Sequence, residues 1–213
     1  MDQDVVLPFA DRTEAGRLLA RRLSPMAGPD VAVLGLPRGG VPVAFEVARG
    51  LELPLDVVVV RKLGVPHHPE LAMGALGEDG GEVLDQALVA GAGVSAQQLR
   101  RVEEHERAEL RERVRRLRGT REPLDLTGLT ALVVDDGLAT GATAHVACQV
   151  ARRRGASRVV VAAPVGPPEL LAADFADEVV LLAAPEPFTA VGMWYRDFAA
   201  TGDAEVAALL SRA

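Results

Sequence analysis

Short apolar runs alternating with amphipathic segments organise the chain. Residues 31–36, 55–60, 129–134, 158–163 and 178–182 are apolar stretches bounded by turn residues, such as Pro29-Asp30 and Pro37-Arg38-Gly39-Gly40 around the first. Runs this short, without polar alternation, predict strands buried on both faces of a parallel sheet. Residues 11–23, 41–49 and 141–154 carry a helical period instead, the last stopped by Gly155. Asp11-Arg12-Thr13-Glu14 reads as a capping box ahead of Ala15, Leu18, Leu19 and Leu23, with Asp11 and Glu14 satisfying each other's amides. The alternation predicts an α/β fold: a doubly wound, mainly parallel five-stranded sheet with flanking helices. Ligands of such sheets lie outside the carboxyl ends of the strands, so the turns after Leu36, Val60 and Val134 should meet in one crevice.

Two segments depart from this rhythm. A long insertion, about residues 64–120, separates the second and third strands; its stretch 72–84, with Gly74, Gly77, Gly80 and Gly81, reads as a flexible glycine-rich hairpin. A helix over 95–118 follows, opened by the box Ser95-Ala96-Gln97-Gln98. Its pairs Glu103/Arg107, Glu109/Arg113 and Glu112/Arg116 sit four residues apart, which predicts a solvated surface helix rather than a nucleic-acid face. Near the end, residues 188–198 gather most of the aromatics and predict a small C-terminal hood, about residues 184–200. With no repeat or low-complexity tract, 1–213 reads as a single domain.

Composition narrows the function. A chain of 213 residues, 49% hydrophobic and 25% charged, buries an ordinary core. No apolar run approaches the roughly 20 residues of a membrane span, and Met1-Asp2-Gln3-Asp4 is unlike the basic start of a leader, so the expectation is cytoplasmic with no membrane partner. A net charge of −7 argues against a nucleic-acid partner but allows a small anionic substrate in a local basic pocket. The single cysteine, Cys148, excludes an internal disulfide and reads as a buried structural thiol. Coding bias accounts for arginine supplying 22 of the 23 basic residues, yet the one lysine, Lys62, directly follows an apolar strand. A compact ammonium there suits a phosphate site.

The sharpest chemistry lies in Leu132-Val133-Val134-Asp135-Asp136-Gly137-Leu138-Ala139-Thr140-Gly141-Ala142-Thr143. The small-residue turn 139–143 exposes successive amides at a helix start, with hydroxyls at Thr140 and Thr143, and so suits a phosphate. Asp135 and Asp136 can accept hydrogen bonds from vicinal sugar hydroxyls, or lie beside a divalent cation held mainly by substrate oxygens. Together they suit a sugar phosphate. A P-loop and a G-x-G-x-x-G turn are both absent. His67-His68-Pro69-Glu70 lacks a third metal ligand at a recognisable spacing and reads as an ordinary loop, with Glu70 a candidate loop contact.

This segment resembles the signature of the type I phosphoribosyltransferases, which bind 5-phosphoribosyl 1-pyrophosphate. The resemblance implies that Asp135 and Asp136 contact the ribose, and that Ala139, Thr140, Gly141, Ala142 and Thr143 hold its 5′-phosphate. It further implies pyrophosphate binding by the loop Pro37, Arg38, Gly39 and Gly40, where the family often has an unusual peptide conformation, joined by Arg61 and Lys62 as a positive collar. The insertion resembles the family's mobile catalytic loop. Phe188 and Trp194 are candidates for stacking on a base, with Asp197 as a polar contact; a satellite core closing the sheet edge is the alternative for these aromatics. Relatives acting on 6-oxopurines carry a further aspartate where this chain has Ala139, which counts against hypoxanthine, guanine and xanthine. The implied activity is Mg²⁺-dependent transfer of the phosphoribosyl group to a nucleobase-like nitrogen, with Lys62, Asp135 and Asp136 as the catalytic set and no metal ligated by protein alone; relatives are commonly homodimers, and the sequence leaves the assembly open. A donor-binding regulatory module and a sugar-phosphate hydrolase remain the alternatives.

Overall fold

Central strands buried on both faces build this molecule, as the apolar runs require. The structure, a computed structural model, describes residues 5–119 and 121–212; the start Met1-Asp2-Gln3-Asp4 lies outside them. Along the chain come α1 (Arg12–Leu23), β1 (Val31–Gly35), α2 (Gly40–Leu51), β2 (Leu55–Val57), β3 (Val60–Val65), β4 (His68–Gly77) and β5 (Glu82–Leu84). Then follow α3 (Gln86–Gly91), α4 (Ala96–Arg118), β6 (Thr130–Val134), α5 (Ala142–Arg153), β7 (Arg158–Val165), β8 (Glu178–Ala183) and α6 (Asp203–Leu210). Five strands form a parallel sheet in the order β2-β1-β6-β7-β8, with helices on both faces. Chain direction across the sheet reverses between β1 and β6, where Gly35 pairs with Val134, and this switch point opens a crevice at the strands' carboxyl ends.

The second strand is shorter than its apolar run. Val58 still donates to Gly35 of β1 (3.1 Å), but the amide of Val59 is taken by the Glu78 carboxylate (2.9 Å) and its carbonyl by the Glu78 amide (3.1 Å). Val58 and Val59 stay buried while leaving the sheet, so the run continues although the strand does not. Val60 therefore opens β3, and Arg61 and Lys62 lie inside a second, antiparallel sheet, β3-β4-β5, instead of in a turn after β2.

That sheet is the stem of the insertion, packed between α4 and α5 with Leu63, Met73, Ala75 and Leu76 buried. Its tip, residues 67–70, is exposed. The capping box at Ser95 and Gln98 forms as predicted. The solvated face of α4 is only partial: Glu112 and Arg116 lie 3.9 Å apart, but Arg107 turns to Glu82 of β5 (2.6 Å), and Leu110, Leu117 and Arg118 are buried. Arg118 reaches Glu78 (2.6 Å), Asp56 (3.2 Å) and the Val57 carbonyl (2.7 Å), while Arg154, after α5, reaches Glu78 (3.0 Å) and Asp79 (2.8 Å). These charges tie α4, β2, the hairpin and α5 into one network, buried except at Asp79.

At the N-terminus Asp11 caps α1 through the Glu14 amide (2.8 Å), but the returning Glu14 carboxylate accepts from Ala10 rather than Asp11, whose backbone is fully extended. The short helices α3 and α6 carry too little apolar period to stand out in the sequence; α6 nevertheless sends Val206 and Leu210 into the core. Cys148 lies fully buried in α5, and burial pushes its thiol up to about 12, as suits an inert structural group.

Candidate active site

Two loops leave the switch point side by side. Leu36 continues the β1 register by donating to the Val134 carbonyl (2.9 Å), and the chain then turns through residues 37–40 into α2. A Cβ on Gly39 would lie 2.0 Å from Oδ2 of Asp136, and one on Gly40 2.8 Å from the Asp135 Cα, so only glycines let this loop lie flat against the acid pair. The Pro37–Arg38 peptide bond is cis, the kind of unusual conformation that the resemblance implies for this loop. The loop after β1 and the turn after β6 thus form one wall, as the strand reading predicts.

The acid pair sits at the base of that wall. Asp135 accepts from the Asp136 amide (2.9 Å), and burial, then the charge on Asp136, pushes the Asp135 carboxyl well above its ordinary value. Asp136 is held by a residue that sequence reasoning missed: Nε of Arg12 donates to its Oδ2 at 2.8 Å, with both side chains largely buried. The same guanidinium donates to the Ala199 carbonyl (2.8 Å) and lies 3.9 Å over the Phe198 ring. Tyr195 donates its hydroxyl to the Asp136 carbonyl (2.5 Å); burial, and next the Asp136 charge, raises its pKa. No spacing signals Arg12, which is 124 residues from its partner. The fold alone joins them.

Beyond the acids the chain enters α5. Gly141 takes a left-handed φ of 74° before the helix, where a side chain would also press on Phe175 at 3.1 Å. No side chain caps this helix among the described residues, and the Thr140 hydroxyl lies 3.4 Å from the Ala142 amide. Ala139 and Thr140 are exposed and Ala142 and Thr143 half-buried, so the turn offers amides and hydroxyls to solvent at the positive end of a helix.

The predicted collar divides. Arg61 and Lys62 are adjacent in β3 and so point to opposite faces. Arg61 faces α4 and pairs with Glu106 (2.6 Å), whereas Lys62 alternates to the face that brings Val60 and Gly77 toward α5, exposed and without an ion pair among the described residues. Arg38 lies 3.8 Å from Asp203 of α6. In the hood, Phe188 and Trp194 stack on each other (centroids 6.4 Å apart) and join Phe9, Val165 and Tyr195 in a satellite core. Val191 seals this hood onto the acid turn, since a Cβ on Gly137 would come within 2.4 Å of it. Asp197 is exposed and accepts from the Ala199 amide (2.9 Å). His67, His68 and Glu70 occupy the hairpin tip, and no group of three acids, histidines or cysteines among the described residues could hold a metal.

Comparison with known proteins gives the family and the fold. A Mycobacterium tuberculosis H37Rv protein with the provisional name phosphoribosyl transferase is 56% identical over 207 residues, which cover 96% of this chain and 47% of that protein. The chain spans about half the length of the curated relatives it matches. Among solved structures, TT1426 from Thermus thermophilus is 44% identical with a TM-score of 0.81, covering 97% of this chain and 99% of that one. A Neisseria gonorrhoeae protein solved with bound ppGpp shares the fold at 14% identity and a TM-score of 0.50, covering 98% of both chains. The profile of the phosphoribosyl transferase domain matches residues 12–191. Because that match runs from the arginine that grips Asp136 to the valine that seals the hood, across every strand of the parallel sheet, the chain belongs to the phosphoribosyl transferase domain family.

Proposed function

We propose that this chain transfers a 5-phosphoribosyl group from 5-phosphoribosyl 1-pyrophosphate to a nitrogen of a nucleobase-like acceptor. One observation carries the reading: Gly39 and Gly40 lie flat on Asp136 and Asp135, next to an uncapped helix start, so a diphosphate loop, a hydroxyl-binding acid pair and a phosphate cradle share one crevice. Asp135 and Asp136 accept the ribose hydroxyls, and residues 139–143 donate amides and hydroxyls to the 5′-phosphate. The loop at 37–40 lies at the diphosphate end. The acceptor nitrogen attacks the anomeric carbon as the bond to the diphosphate oxygen breaks, the electron pair leaves with pyrophosphate, and configuration inverts. No side chain acts as nucleophile; positioning and charge neutralisation by Arg38 and Lys62 supply the catalysis.

A Mg²⁺ ion fits beside this pair as a partner of the donor. No three ligating side chains converge among the described residues, which suits a cation held mainly by donor oxygens, and Asp135, whose proton affinity burial and then the Asp136 charge raise, would gain from a nearby cation. Bound there, beside Asp135 and Asp136, the ion would supply neutralisation of the charge that grows on the leaving pyrophosphate. A donor-binding module without turnover is the second reading, favoured by Phe188 and Trp194 stacking on each other rather than flanking an open slot.

Calorimetry with the donor and Mg²⁺ tests the site. Saturable binding by the native chain, lost in D135N/D136N and in G39A, is the expected result; Gly39 has φ −63°, which alanine adopts freely, so its loss reports the collision with Asp136. Unchanged affinity in both variants refutes the assignment. Pyrophosphate release that requires an added base then distinguishes transferase from sensor.

A further inference from the structure

Helix α4, the charged helix of the insertion, places one arginine where solvation does not explain it. Arg113 lies on the stripe that carries Leu110 and Leu117 into the core, three residues after the first and four before the second. It is half-buried and, among the described residues, makes no hydrogen bond or ion pair. The charges around it come from four elements: Arg38 of the diphosphate loop, Arg61 of β3, Arg116 of α4 and Asp203 of α6. Asp203 already attends Arg116 (3.3 Å) and Arg38 (3.8 Å), and Arg61 is taken by Glu106 (2.6 Å). With Glu112 3.9 Å from Arg116 on the helix itself, four guanidiniums gather around three carboxylates, none of which pairs with Arg113 among the described residues, beside a loop that resembles a pyrophosphate-binding turn.

Arg38 and Arg116 reach solvent, their side chains 49% and 59% exposed, but a half-buried guanidinium held beside such like charges raises the free energy of the fold unless an anion joins it. Burial lowers the Arg113 pKa most; Asp203 raises it, and Arg38, Arg61 and Arg116 lower it further. An exposed arginine would escape this by extending into solvent, but the Leu110/Leu117 stripe turns Arg113 inward. The cluster lacks negative charge, and the ligand class that supplies it compactly is a diphosphate.

We propose that Arg113 is a diphosphate-binding residue of the crevice, and that Asp203 weakens diphosphate binding by competing for the same arginines. The proposal rests on the phosphoribosyl-transfer reading and deepens it. It makes the insertion helix part of the donor site, and it assigns an acid of α6 the role of setting how tightly the diphosphate end is held.

Titration calorimetry of the full chain with two probes, inorganic pyrophosphate and ribose 5-phosphate, each with Mg²⁺, separates the possibilities. R113Q should weaken pyrophosphate by about tenfold or more, the scale of one lost charge-assisted hydrogen bond. R113K should recover part of that loss. D203N should tighten pyrophosphate by about two- to fivefold, as removal of one partly exposed ion-pair partner allows. Ribose 5-phosphate, which reaches only the acid pair and the phosphate turn, should bind all three variants like the native chain, as should both probes in the exposed-site control R111Q. Equal losses of both probes in R113Q would mark a structural role, and unchanged pyrophosphate affinity in R113Q or D203N would overturn the corresponding half of the proposal. If R113Q does not fold, R113K and D203N carry the test. Native protein that binds neither probe would refute the phosphoribosyl-transfer reading itself, whereas native binding with an indifferent Arg113 would refute only this inference.

Discussion

Asp135 faces opposite demands from folding and from binding. Burial and the neighbouring Asp136 charge raise its carboxyl well above the ordinary value, so the native chain holds that proton more tightly than the unfolded chain does. Its contribution to stability is therefore full below the ordinary carboxylate range and is lost as pH rises through the raised value. Donor affinity should run the other way over the same window, because only the ionised acids accept two hydroxyls. D135N is expected to raise Tm at pH 7.5 by about 2–4 °C for each kcal/mol relieved in a chain of this size. The gain should shrink near about pH 4, where the native carboxyl is already neutral. Scanning calorimetry at both pH values checks this, and an equal gain at both would show that the raised proton affinity does not govern the effect. Arg12 shows the limit of reading residues one at a time: nothing near it in the chain distinguishes it from the other arginines of α1, yet it alone grips the acid pair.

Elements join through charge as much as through apolar packing. Arg118 ends α4 but is 7% exposed, and its partners Asp56 and Glu78 are buried at 6% and 8%. R118M leaves two carboxylates without their main cation, a change that costs about 3–5 kcal/mol when one partner of a buried pair is removed. Urea unfolding should show that loss, and adding D56N and E78Q to R118M should recover much of it; a loss below about 0.5 kcal/mol would place the variant among ordinary surface changes. The charge pattern of α4 reads correctly as a helix with a capped start. It reads wrongly as solvated to its end, because i, i+4 spacing cannot tell a neighbour on the same helix from Glu82 on β5 or Glu78 in the turn before it.

At the scale of the whole molecule, a net charge of −7 coexists with a cluster of arginines beside the loop at residues 37–40. Ligands that bind only the folded chain stabilise it by mass action: donor with Mg²⁺ at a hundred times its Kd contributes about 2.7 kcal/mol. For this chain length that is about 5–10 °C in Tm. Thermal melts should show this shift for the native chain and none for D135N/D136N, and a native melt indifferent to donor would count against the crevice. The hood belongs to this scale as well. Phe9 and Tyr195 bridge the two ends of the chain, so closure over the acid pair depends on residues 186 positions apart (Phe9 and Tyr195), which no local pattern encodes.

The parallel sheet, the insertion and the acid turn were legible in the chain itself, because buried strands need unbroken apolar runs and a phosphate turn needs small residues at a helix start, both local requirements. Tertiary structure alone decided where the second strand ends, since Glu78 captures Val59 while burial continues unchanged through Val58 and Val59. It also split Arg61 from Lys62, stacked Phe188 on Trp194 and set Arg12 against Asp136. Each of these outcomes depends on which distant group competes for a hydrogen bond or a charge, and that competition exists only once the elements have packed.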